Sequence, residues 1–104
     1  MNILQFFHRK EELPMFSIGD QVRLKSGKAF DDVRKIYNKH YPNCACDSET
    51  WYKETSHLRE FLGTSSHIVT KVIPGTPAAG GWFVYVDGNN EFTQGYHGNI
   101  FELA

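Results

Sequence analysis

Apolar and polar positions change period twice along the chain, and each change marks an element boundary. Residues 1–14 open on an apolar group, Ile3, Leu4, Phe6 and Phe7, pass through mixed charge and stop at Pro14, which ends any helix. They predict a short helix or an appended arm. From Phe16 the period is two. After a Gly19-Asp20 turn, Val22 and Leu24 alternate with Arg23 and Lys25 as far as Gly27, the pattern of a half-buried strand. Residues 29–63 follow a different period. Phe30, Val33, Ile36, Tyr37 and Tyr41 recur at three- and four-residue steps, with Asp31 and Asp32 first and Lys39 and His40 last, the polarity the helix dipole favours. Pro42 ends this helix; the competing assignment makes residues 33–37 a strand. A second helix is predicted over 48–62, with Asp47 or Ser48 as cap, Trp51, Thr55, Leu58 and Leu62 along one face, Phe61 widening it and Gly63 as the stop.

Beyond Gly63 the period returns to two. Ile68, Thr70 and Val72 alternate with Val69, Lys71 and Ile73, and the small-residue stretch 74–81 then reads as a loop. Trp82–Val86 is a strand, Asp87-Gly88-Asn89-Asn90 a hairpin turn and Glu91–Gln94 its returning strand. Gly95-Tyr96-His97-Gly98 reads as a further turn, with Asn99–Leu103 as the last strand.

The phrase Phe16-Ser17-Ile18-Gly19-Asp20-Gln21-Val22, with its continuation to Gly27, resembles the opening of small bacterial SH3-like barrels. There an apolar-x-x-Gly-Asp-x-Val turn leads into the first strand. Residues 15–27 look in particular like the start of the short uncharacterised YodC-like proteins. The resemblance implies a fold and brings no function, and that family continues directly into a second strand where this chain inserts residues 29–63. The expected architecture is α+β and mainly β. It is an SH3-like small β-barrel of about five strands over 15–104, with a two-helix insertion at about 29–63 after the first strand and an arm at 1–14.

At 104 residues and 40% hydrophobic, the chain has matter for one core, which excludes a second full domain and general disorder. No apolar run approaches the ~18–20 residues that cross a bilayer. His8, Arg9, Lys10, Glu11 and Glu12 stand where a signal peptide would stay apolar, so a soluble, cytoplasmic protein without membrane contact is expected. Met15 heads the best-formed segment and is an alternative start.

Net charge is −1 but uneven: residues 1–40 hold eight Lys/Arg and five Asp/Glu, the remainder three and seven. Arg23, Lys25, Lys28, Arg34 and Lys35, with Lys39, form the one basic cluster, a candidate for weak nucleic-acid binding with Phe92 or Tyr96 as stacking platforms. The plainer assignment is a solvated face interleaved with Asp20, Asp31 and Asp32.

His40, Cys44, Cys46 and His57 are residue types that zinc takes, in the spacing H-x3-C-x-C-x10-H. A single residue between the cysteines hinders both thiolates from facing one ion and is too short for an unstrained disulfide, so free thiols in an interhelical loop are the simpler assignment. No cofactor is implied. Cys46 with Asp47 and His57 lacks the surroundings of a thiol nucleophile, and Gly75–Gly81 lacks the Lys-Ser/Thr end of a phosphate loop. These absences point away from an enzyme.

Aromatic residues remain. On strand 82–86, Phe83 and Tyr85 share the face opposite Trp82, Val84 and Val86. They pack beneath the helical insertion, or with Phe92, Tyr96 and His97 they form an exposed patch that binds another protein. The expected function is a non-catalytic protein-interaction module, such as a small regulator or inhibitor of a larger complex of bacterial or phage origin. A weak nucleic-acid binder and a zinc-stabilised regulator are the alternatives.

Overall fold

Val22, fully buried, and Leu24, half-buried, face inward from β1 (Gln21–Leu24) while Gln21 and Arg23 face out, as strict alternation requires. The computed structural model describes residues 13–88 and 95–104. The remaining elements are α1 (Gly27–His40), α2 (Ser48–Glu54), α3 (Ser56–Leu62), β2 (His67–Pro74), β3 (Trp82–Val86), β4 (Tyr96–His97) and β5 (Phe101–Leu103). The protein is therefore α+β, with the helices inserted between the first two strands. The expected arm at 1–14, up to residue 12, and the turn and strand at 89–94 lie outside the described residues.

The strands form one antiparallel sheet in the order β4-β3-β2-β1-β5. β2 is long because it serves two partners: its first residues pair with β1 at Gln21↔Ile68, and the rest pair with β3 from Val69↔Val86 to Pro74↔Trp82. A register shift between Val69 and Lys71 separates the two halves. The extra residue resets the phase, so Val69 and Val72 both lie against the core, three positions apart, where uninterrupted alternation predicts opposite faces. β5 returns to β1 at Leu24↔Phe101, after a 3-10 turn at Gly98–Ile100. No ladder joins β4 to β5 among the described residues, so the sheet is open rather than a closed barrel.

The core is one cluster. Val22, Val69, Val84, Val86, Tyr96 and Phe101 enter it from the sheet, Phe16 and Ile100 from the connections, Phe30 and Val33 from α1 and Leu62 from α3. The insertion thus starts at Gly27 and closes over the sheet, and residues 33–37 are helical, which settles their assignment against a strand. The predicted 48–62 helix is two helices. Thr55, at φ −93° and ψ 6°, leaves the helical path, and its hydroxyl donates to the Trp51 carbonyl at 2.8 Å, the local bond by which threonine competes with a helix. Because of this break Phe61 is 48% exposed rather than part of the buried stripe. Residues 95–98 also differ from the expected turn: Tyr96 and His97 pair with Val84 and Phe83. Gly95 alone turns, at φ +75°, where a Cβ would stand 2.8 Å from the Tyr85 ring.

His67 ties the insertion to the sheet. Its Nε2 lies 2.8 Å from the Leu62 carbonyl, which can only accept, and its Nδ1 faces the Asp87 carboxylate, so both nitrogens carry protons in the fully bonded form. Burial pushes the imidazole pKa down, but the Asp87 carboxylate and the Leu62 carbonyl outweigh it and hold the value above the usual histidine range. Burial likewise raises Asp87, and the Ile68 N–H and His67 outweigh it, holding that carboxyl below its usual range. Asp87 is the one described non-glycine residue at positive φ, 54°.

The raised His67 value contributes stability below about pH 6.5 that is lost as pH rises through the folded value; the lowered Asp87 value contributes above about pH 4 and is lost as pH falls. Thermal melts of the wild type should show the highest Tm between these limits, and His67→Ala should flatten the alkaline limb. Phe101→Ala, at one of the largest fully buried side chains, should cost about 3–5 kcal/mol in denaturant unfolding.

Candidate functional site

The connection between α1 and α2 is held by side chains rather than by burial. Asn38 accepts from the Cys46 N–H at 3.1 Å and donates to the Cys46 carbonyl at 2.8 Å, so one amide satisfies both polar groups of that residue. Arg34 donates to the same carbonyl at 3.0 Å and forms a forked pair with Asp31 at 2.8 and 3.0 Å. Asp31 also accepts from the Ser48 hydroxyl, at the first residue of α2. The Arg34 and Ser48 hydrogen bonds hold the Asp31 carboxyl down to about 2. Asp47 caps α2 by accepting from the Thr50 N–H.

With its start fixed, α2 presents Trp51 to α1. The Trp51 ring lies 5.6 Å from Phe30 and 6.0 Å from Tyr37, centroid to centroid, and Tyr37 continues the row to Tyr41 at 5.1 Å. Beyond Trp51 the helix stands away from the sheet, leaving an open groove of about 620 Å³. Tyr37, Trp51 and Leu58 line the helical side; Tyr96, His97 and Ile100 line the sheet side; Cys44, Cys46, Glu54, Thr55 and Gly95 complete the rim. That volume lies in the range of ligand clefts, and its walls are apolar and aromatic with few polar groups, as such clefts are.

The Trp51 indole N–H is closed off from solvent with no acceptor among the described residues. Three features give the groove its polarity. Burial pushes the half-buried His97 imidazole below its usual pKa, so it is neutral at pH 7. Burial, and then the neighbouring Cys44, Tyr41, Cys46 and Glu54, push the Tyr37 phenol up, so it keeps its proton. Glu54 is the one Asp, Glu, Lys or Arg of the lining.

The structure divides the aromatic patch read from the sequence. Tyr96 is buried, its ring edge-on to Phe101 at 5.8 Å, and His97 stacks at a tilt on Phe83, also at 5.8 Å. Tyr85 is buried beneath Gly95, with the Lys71 ammonium 5.1 Å from its ring centroid. Phe92 lies outside the described residues. Tyr85 and Tyr96 therefore belong to the packed interior, and Tyr96 and His97 reach the groove from below instead of standing on an open face. The periodicity missed Tyr37, Trp51, Glu54, Leu58 and Ile100 as site residues, because spacing at helical steps reads equally as core.

The basic cluster is largely neutralised. Arg23 pairs with Glu102 at 2.8 Å, Arg34 with Asp31 at 2.8 Å, and Lys28 and Lys35 both with Asp32, at 3.2 and 3.4 Å. Lys25 alone of the five has no such partner among the described residues. His40, Cys44, Cys46 and His57 do not converge: no group of three or more His, Cys, Asp or Glu among the described residues could hold a metal ion. Asn38 fixes the backbone at Cys46, while His40 and Cys44 are exposed before it and His57 is exposed on α3. No described helix is long and apolar enough to cross a membrane.

Compared with protein-family models, with curated proteins and with solved structures, the chain matches none.

The two thiols differ. Cys44 is exposed, whereas Cys46 is half-buried and its thiol is pushed up, first by burial and then by Glu54. A colorimetric disulfide reagent at pH 8 should modify Cys44 in a fast phase that Cys44→Ser removes and Cys46→Ser preserves.

Proposed function

We propose that this chain is a non-catalytic protein-interaction module of the SH3-like class, which takes an extended partner segment into the groove between α2 and β4. The observation that carries this reading is the open groove of about 620 Å³ itself, walled by Tyr37, Trp51 and Leu58 on one side and by Tyr96, His97 and Ile100 on the other. The aromatic walls suit such a partner, since rigid rings with polar edges anchor protein interfaces. A meander whose last strand returns beside the first, at Val22↔Leu103, supports the class. The pairing of four of the five basic candidates with carboxylates weighs against a nucleic-acid role.

Tagged protein should recover a stoichiometric partner protein from a nuclease-treated native lysate. Trp51→Ala removes the indole from the groove wall and should weaken that recovery; Leu58→Asp should abolish it, with melts confirming that both variants fold. Recovery that vanishes with nuclease, or that neither substitution changes, overturns the reading.

A further inference from the structure

We propose that the groove receives a basic side chain, a lysine or arginine of the partner segment whose apolar stem lies along Trp51 and Leu58 and whose charged head meets Glu54. This rests on the groove being the binding site, and adds what kind of residue enters it.

Charge complementarity is the first argument. Glu54 is exposed at the rim, makes no ion pair among the described residues and is the one carboxylate that lines the groove. No lysine or arginine of the chain lines the groove to compete for it. His97, neutral through burial, neither repels an incoming cation nor neutralises the carboxylate.

Ring geometry is the second. Tyr37 and Trp51, their rings 6.0 Å apart and inclined at 42°, both line the groove in which Glu54 stands. Electron-rich faces attract ammonium and guanidinium groups, more so where water is partly excluded. Long basic side chains also bury their methylenes on apolar surface while the head stays in reach of charge and water, which matches an apolar wall ending at a carboxylate. An acidic side chain would meet Glu54 as a like charge. A purely apolar one would leave the carboxylate facing it unpaired.

The test uses the full chain and blocked tripeptides, acetyl-Gly-X-Gly-amide with X as Lys, Arg, norleucine or Glu, titrated into the millimolar range. The readout is the NMR signal of the Trp51 indole N–H, identified by its loss in Trp51→Phe. The Lys and Arg peptides should move it saturably, norleucine should bind at least about fivefold more weakly, and Glu should not bind. Glu54→Gln, on the surface and not expected to affect folding, should bring the Lys-to-norleucine ratio close to one. Norleucine binding as tightly as Lys, or a ratio that Glu54→Gln leaves intact, overturns the basic-residue inference while the groove reading stands. No shift with any peptide overturns both. A shift that depends on protein concentration alone identifies a second copy of the chain as the occupant and overturns the inference.

Discussion

The helical insertion buries side chains fully in the core only near its two ends, with Trp51 and Leu58 between them packed against it in part, and the rest of the molecule's character depends on this. Phe30 and Val33 bury 97–98% of themselves in the core from α1, being 3% and 2% exposed, and Leu62 does the same from the end of α3 at 2%. α2 has no buried residue. Each anchor removes an apolar side chain from water, worth about 1.5–3 kcal/mol, while the middle of the insertion has no comparable hold on the sheet. A helix spanning two anchors without being drawn down leaves space beneath it, and the groove is that space.

What fixes the start of α2 is polar, beside the packing of the Trp51 ring against Phe30 and Tyr37. The Arg34–Asp31 fork, the Asn38 amide on Cys46 and the Ser48 hydroxyl fix its start, and Arg59 spans the break at its end, with its guanidinium 3.5 Å above the Tyr52 ring. Bonds of this kind give direction without demanding burial. They let a wall be positioned and still remain partly wet, which a hydrophobic contact could not do. The same bonds account for the charge balance of α1. Lys28, Arg34 and Lys35, part of what looks in the sequence like a nucleic-acid stripe, pair with Asp31 and Asp32 three or four residues away.

Local patterns in the sequence foretold much of the fold: the Gly19-Asp20 turn, β1, the helical insertion with its stop at Gly63, and β3. Each of these rests on alternation or helical spacing within a short window. The failures share a cause. The phase reset at Thr70 arises because β2 changes partners, the break at Thr55 from a hydroxyl choosing a backbone carbonyl, and the pairing of Tyr96 and His97 from contacts with β3. None of these is a property of its own neighbourhood in the chain. The groove was illegible for the same reason: Trp51 and Leu58 looked like core at helical spacing, and they do pack against the core in part while also lining the groove. Tyr96 and His97, singled out in the sequence for an exposed patch, instead line the groove, Tyr96 from a buried position.

The pairing of β1 with β5 has a consequence for how the chain acquires its structure. Arg23 and Glu102, bonded side by side, are separated by 79 positions, so the first strand cannot find one of its neighbours until that whole stretch has been made. Helices α1 to α3 need only nearby residues and can begin to form early, whereas β1 waits with one edge open. During synthesis the nascent protein thus passes through a stage in which its helices precede its sheet, and that unpaired edge is then its most vulnerable surface toward other unfinished chains.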